Sequence, residues 1–93
     1  MSETTNIEIV HNAAKHRFEA LVDGELSRVE YRIAGDAFMI NHTEVPPALG
    51  GRGIAGKLVA AAVAYARSAN LRVVPNCSYA RTWLEKHPEA LRG

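Results

Sequence analysis

The chain has no second cysteine, no surplus of charge of either sign, no long apolar run and no internal repeat, and each absence removes a class of function. Cys77 stands alone among the 93 residues, so an internal disulfide is excluded and a reducing compartment is expected. Eleven basic against ten acidic side chains leave a net charge of +1, too little to point to a nucleic acid or another polyanion. No stretch reaches the roughly 20 apolar residues that a membrane-spanning helix requires. The opening MSETTNIEIV has neither the basic start nor the apolar core of a secretory signal. A cytoplasmic protein with no membrane and no nucleic-acid partner is therefore expected. His11, His16 and His87 have no mutual spacing that suggests a metal site. The length allows a single domain over residues 1–93 with one modest core, for which a 47% hydrophobic content is ordinary.

The first half of the chain alternates with a period of two. Val29, Tyr31 and Ile33 interleave with Arg28, Glu30 and Arg32, which predicts a strand with one wet face. Ile7 to Val10 and Arg17 to Val22 read as earlier strands, with turn signals at Asp23-Gly24 and Gly35-Asp36. A fourth strand, Ala37 to Val45, is expected to put Phe38, Ile40, His42 and Glu44 on one face and Met39, Asn41, Thr43 and Val45 on the other. Pro46 and Pro47 end it. From Gly53 to about Ala69 the period becomes helical, with Ile54, Leu58, Ala61, Ala62, Tyr65 and Ala66 on one stripe. Asn70 is a stop, Leu71 to Val74 a short buried strand ended by Pro75, and Ser78 to Lys86 a second helix closed by His87-Pro88. The order predicts an α+β fold of four antiparallel strands, a helix, a parallel fifth strand and a C-terminal helix.

Leu49 to Lys57, LGGRGIAGK, joins a strand to a helix, where unpaired N–H groups and the positive end of the helix dipole favour phosphate. Arg52 and Lys57 can add charge there. Gly51 to Gly56 satisfies the dinucleotide pattern GxGxxG, but no acidic residue follows on the next strand and four antiparallel strands precede it, which excludes that reading. Gly51 to Leu58 reads GxxxxGK followed by leucine. Leu58 has no hydroxyl for magnesium, and a nucleotide triphosphate loop is excluded as well. The third pattern, Q/R-x-x-G-x-G/A, is that of the coenzyme A pyrophosphate loop of the Gcn5-related acetyltransferases. Gly53 and Ala55 fill its last two positions, and Gly50 stands where that family usually has arginine or glutamine.

His42-Thr43-Glu44-Val45-Pro46, GGRGIAGKLV, Val74-Pro75-Asn76-Cys77-Ser78-Tyr79 and His87-Pro88-Glu89 occur in that order. Together they resemble a small subfamily of those acetyltransferases, the YjdJ-type or NATD1-like group, over nearly the whole chain. Compared with full-length family members, the resemblance implies a chain without the two helices usually inserted after the first strand and without the final pair of strands. The resemblance thus implies an acceptor site that is shallow and open, or completed by a partner.

The resemblance further implies acetyl-coenzyme A as cofactor, with the pantetheine arm between splayed strands four and five, near Thr43, Val45 and Asn76. The loop residues Gly50, Gly51, Arg52, Gly53, Ile54, Ala55, Gly56 and Lys57 would hold the pyrophosphate. Acetyl transfer to an amine needs a base, a donor that polarises the carbonyl and at times an acid. Glu44 and His42 are candidate bases, Cys77 a candidate acyl acceptor or acid, and Tyr79 a candidate acid for the departing thiolate. Trp83 reads as packing. The expected activity is N-acetylation of a primary amine on a small molecule or protein, by a monomer or weak homodimer. A non-catalytic module that senses or carries coenzyme A is the alternative, and a purely interactive sheet domain a third reading.

Overall fold

The structure, a computed structural model, describes residues 7–91. Its elements are β1 (Val10–Asn12), β2 (Arg17–Val22), β3 (Glu25–Ala34), β4 (Ala37–Glu44), α1 (Ile54–Ser68), β5 (Arg72–Pro75) and α2 (Ser78–Lys86), joined by short 3-10 turns. The sheet order is β1-β2-β3-β4-β5. All neighbours are antiparallel except β4 and β5, which run parallel as the strand-helix-strand order requires.

Local chemistry accounts for the joints. Asp23 (φ 53°) and Gly24 (φ 75°) are both left-handed, the backbone of a two-residue hairpin turn whose twist matches its strands. Asn70 (φ 61°) closes α1, and the Leu71 N–H reaches back to the Ala66 carbonyl at 2.8 Å, satisfying a carbonyl that the helix end leaves open. Three sequence boundaries shift. The first strand is Val10–Asn12 rather than Ile7 to Val10, because its register places His11 opposite Phe18; there the ring stacks on Phe18 at 4.2 Å and its Nε2 lies 2.6 Å from the Tyr31 hydroxyl. The fifth strand is Arg72–Pro75 and contains Pro75; β5 is an edge strand, where a missing N–H is tolerated. The third strand extends to Glu25–Ala34.

The core lies between one face of the sheet and the two helices. Phe18, Val29, Tyr31, Phe38 and Ile40 from the strands meet Leu49, Ile54, Leu58, Val59, Ala62, Val63 and Ala66. Full burial of each large aliphatic or aromatic side chain contributes about 1.5–3 kcal/mol. Val59 and Val63 widen the predicted helical stripe. The opposite face carries ion pairs Arg17–Glu19, Arg28–Glu30 and Arg28–Glu44 and leaves Leu21 71% exposed.

One irregularity decides which way the functional side chains point. Glu30 pairs with His42, but the next β3 residue, Tyr31, pairs with Ile40. Asn41 is therefore the extra residue of a β-bulge, and alternation on β4 reverses across it. Before it, Phe38 and Ile40 face the core; beyond it Thr43, opposite buried Val29, faces the helical side. His42 and Glu44, opposite Glu30 and Arg28, turn to the open face. This corrects the expectation that His42 and Glu44 continue the Phe38–Ile40 stripe.

Candidate active site

β4 and β5 pair only as far as Ile40 opposite Pro75. There the N–H groups of Asn76 and Cys77 both donate to the Ile40 carbonyl, at 2.9 and 3.0 Å, and the chain swings away into α2. From Asn41 onward β4 has no β5 partner, so a gap opens between the strands. The Asn76 amide donates to the Asn41 side-chain oxygen at 2.9 Å, tying the bulge to the strand end. Asn41 was not among the sequence candidates. Its one signal is an amide side chain inside a strand, where such residues are depleted.

The gap brings Thr43 and Cys77 together: the thiol lies 3.4 Å from the Thr43 hydroxyl. Cys77 is also the N-cap residue of α2, in extended conformation (φ −83°, ψ 138°). Burial pushes its thiol pKa up, but the nearby Thr43 hydroxyl and the neighbouring N–H groups of Ala80, Tyr79 and Thr43 favour the charged form and outweigh burial, so the thiol sits below its ordinary value. A helix N-terminus stabilises a thiolate for the same reason that it stabilises any anion.

His42 and Glu44 sit on the other side of the sheet from this thiol. His42 Nε2 is 3.2 Å from Glu44 Oε1, and the same oxygen accepts from Arg28 Nη2 at 3.0 Å. Arg28 also donates to Glu30 at 2.6 Å, and that bond holds the Glu30 carboxyl below its ordinary pKa. The site thus has two halves joined by the strand gap: a thiol on the helical side, and an imidazole–carboxylate pair on the open side.

Beside the gap is a cleft of about 320 Å³ lined by Val45, Leu49, Gly50, Gly51, Gly53, Ile54, Ala55 and Tyr79. Gly53, at the N-cap of α1, is left-handed (φ 76°) and supplies no capping side chain. The first N–H to bond back at this end is that of Lys57, to the Gly53 carbonyl at 3.2 Å. The N–H groups of Ile54, Ala55 and Gly56 are left for another acceptor. Such donors on a helix dipole, with small residues around them, suit a diphosphate. Gly51 (φ 82°) also needs the left-handed region, whereas Gly50 (φ −62°, ψ 149°) is extended, and a Cβ there would lie 3.3 Å from the Pro47 carbonyl oxygen. Arg52 donates to Asp23 at 2.9 Å, and Lys57 is exposed. Gly56 has a packing role: a Cβ there would lie 3.2 Å from Trp83 Nε1 and 3.4 Å from the Tyr79 hydroxyl. The Tyr79 side chain therefore reaches over the first turn of α1 beside the cleft. A second hollow, about 410 Å³, lies at the other end of α1 among Arg67, Asn70, Leu71, Arg72, Val73 and Leu91, and contains none of these residues.

Residues 17–92 match the family model described as GCN5-related N-acetyl-transferase. Protein NATD1 of Xenopus tropicalis is 29% identical over 91 residues, covering 95% of this chain and 84% of that protein. The solution structure of a GCN5-like N-acetyltransferase candidate from Staphylococcus aureus superposes with a TM-score of 0.72 at 33% identity, covering 94% of this chain and 86% of the other.

Proposed function

We propose that this chain, which belongs to the GCN5-related N-acetyltransferase family over residues 17–92, uses acetyl-coenzyme A to acetylate a primary amine on a small molecule or an exposed protein residue. The observation that carries this reading is the strand gap. Its thiol of lowered pKa opens beside a cleft lined by the uncapped start of α1. Acetyl-coenzyme A supplies, when bound, an acetyl group activated as a thioester. The N–H groups of Ile54, Ala55 and Gly56, with Gly50, Gly51, Gly53 and the side chains of Arg52 and Lys57, hold its diphosphate. Thr43, Val45 and Asn76 would line the place of its pantetheine arm.

Cys77, at the start of α2 and 3.4 Å from the Thr43 hydroxyl, accepts the acetyl group on its sulfur, its lowered pKa favouring the ionised form that attacks. Tyr79 holds its hydroxyl at the cleft, where it can give a proton to the departing thiolate. The amine reaches the gap from the open face. There His42, oriented by Glu44 at 3.2 Å, accepts its proton. Only a short 3-10 turn, Ala13–Lys15, stands between β1 and β2, so no helix from that connection walls the acceptor side, and a broad choice of amines follows. An unpaired, activated thiol suits a reducing compartment, and we assign the protein to the cytoplasm.

The test is intact-mass and product analysis after incubation with acetyl-coenzyme A and a panel of polyamines, aminoglycosides, free amino acids and lysine peptides. The reading predicts an acetylated amine and a single protein adduct that Cys77→Ala abolishes. His42→Ala should lower turnover by about 100-fold or more, as expected for loss of a general base, while leaving the adduct in place. Binding of coenzyme A with no acetyl transfer to any amine, and no effect of Cys77, Glu44 or His42 substitution, would instead establish a coenzyme A-carrying module.

A further inference from the structure

Arg52, a cation of the glycine loop, is engaged by the protein itself. Its guanidinium donates to the Asp23 carboxylate at 2.9 Å, across 29 residues of sequence. Asp23 caps the β2–β3 hairpin, where φ values of 53° for Asp23 and 75° for Gly24 fix the turn and buried Val22 anchors it. Arg52 lies between two left-handed glycines, Gly51 and Gly53. Both charged side chains are open to solvent, at 46% and 66% exposure.

A guanidinium paired with a carboxylate brings no net charge to an anion site. A phosphate oxygen at Arg52 competes with the Asp23 carboxylate for the N–H that the carboxylate holds. Phosphate binding through Arg52 is then an exchange, with Asp23 displaced and left as a nearby like charge. We propose that Asp23 is the built-in counter-anion of this site: it holds Arg52 while the loop is empty, and sets the affinity for the incoming diphosphate that takes Arg52 from it. This rests on the reading of the loop as a diphosphate site and assigns a role to a residue outside that loop.

Removing the charge should therefore tighten binding. Asp23→Asn keeps a residue that tolerates the left-handed turn, and Asp23→Gly frees the backbone as well. Exposed ion pairs are weak and screened, so the expected gain for coenzyme A at low salt is about two- to fivefold in Kd for either variant. Inorganic pyrophosphate should show the same direction. In an Arg52→Ala background most of the gain should vanish, because no exchange remains. Titrations of the full chain with both ligands read all of this. Unchanged or weaker binding in both Asp23 variants, or an undiminished gain without Arg52, would overturn the exchange while leaving the coenzyme A reading intact. Failure of the wild type and every variant to bind either ligand would remove both.

Discussion

Gly56→Ala tests how the two helices position Tyr79 beside the cleft. In an exposed helix interior this change stabilises by about 1 kcal/mol, because glycine is the poorest ordinary helix former. Here the added Cβ would stand 3.2 Å from Trp83 Nε1, 3.4 Å from the Tyr79 hydroxyl and 3.5 Å from Trp83 Cδ1. Ordinary contacts of this kind settle near 3.5–4.0 Å, so the indole must retreat by about 0.3–0.8 Å. It is not free to do so: Trp83 packs against the core and stacks on His87 at 4.4 Å. Overpacking of this order costs about 1–3 kcal/mol. The net is a loss of up to about 2 kcal/mol in place of a gain, and each kcal/mol is worth about 4–8 °C in Tm for a domain of this size. Trp83 is the one tryptophan in the chain, so its emission reports the displacement without ambiguity. We predict a lower Tm, shifted Trp83 emission and weaker binding of coenzyme A as Tyr79 moves. In a Trp83→Phe background, which shortens the opposing ring, the same substitution should become neutral or stabilising. A wild-type emission spectrum together with a gain of about 1 kcal/mol would refute the reasoning.

Cys77 should already react with iodoacetamide at a pH where an ordinary thiol is still protonated, its rate climbing to a plateau with a midpoint below the usual thiol value of about 8.5. Thr43→Val should move that profile back toward higher pH; an ordinary profile in the wild type would contradict the lowered pKa. The sign for stability follows: the unfolded chain binds the thiol proton more tightly than the folded one. This contribution is therefore fully present above the ordinary thiol pKa and is lost as pH falls through the lowered one. Cys77→Ala should flatten that segment of the pH–stability curve. Ser27 is 0% exposed and its hydroxyl has no partner among the described residues. Since an unsatisfied buried hydroxyl costs about 1–3 kcal/mol, Ser27→Ala should raise the urea midpoint, and a clear fall would mean that the hydroxyl has a partner in solution.

The parts of the fold that were legible in sequence are those governed by local chemistry. Period-two alternation gave β2 and β3, the change to helical period gave α1, and Asp23-Gly24 and Asn70 marked joints where the backbone is in fact left-handed. The glycine loop was legible because strand, glycines and helix occur in the order that an anion site needs. The bulge was not. Alternation extrapolated along β4 places His42 and Glu44 with Ile40, and only cross-strand pairing reveals that Asn41 is extra and that Thr43 takes the helical face. The same limit hid the Arg52–Asp23 pair and the closeness of Gly56 to Trp83, which depend on residues 29 and 27 positions apart. The sequence grouped Cys77, Tyr79, His42 and Glu44 as neighbours of one gap; the structure divides them between its two sides.

The most direct test of the account is calorimetric titration of the whole chain with acetyl-coenzyme A in magnesium-free buffer. The account predicts saturable binding at one site per chain, weakened by Arg52→Ala and by replacing Gly53, whose left-handed backbone at φ 76° opens α1, with a β-branched residue. Absence of heat and of any competition by free coenzyme A would contradict it, and would leave the family's fold without the chemistry proposed for it.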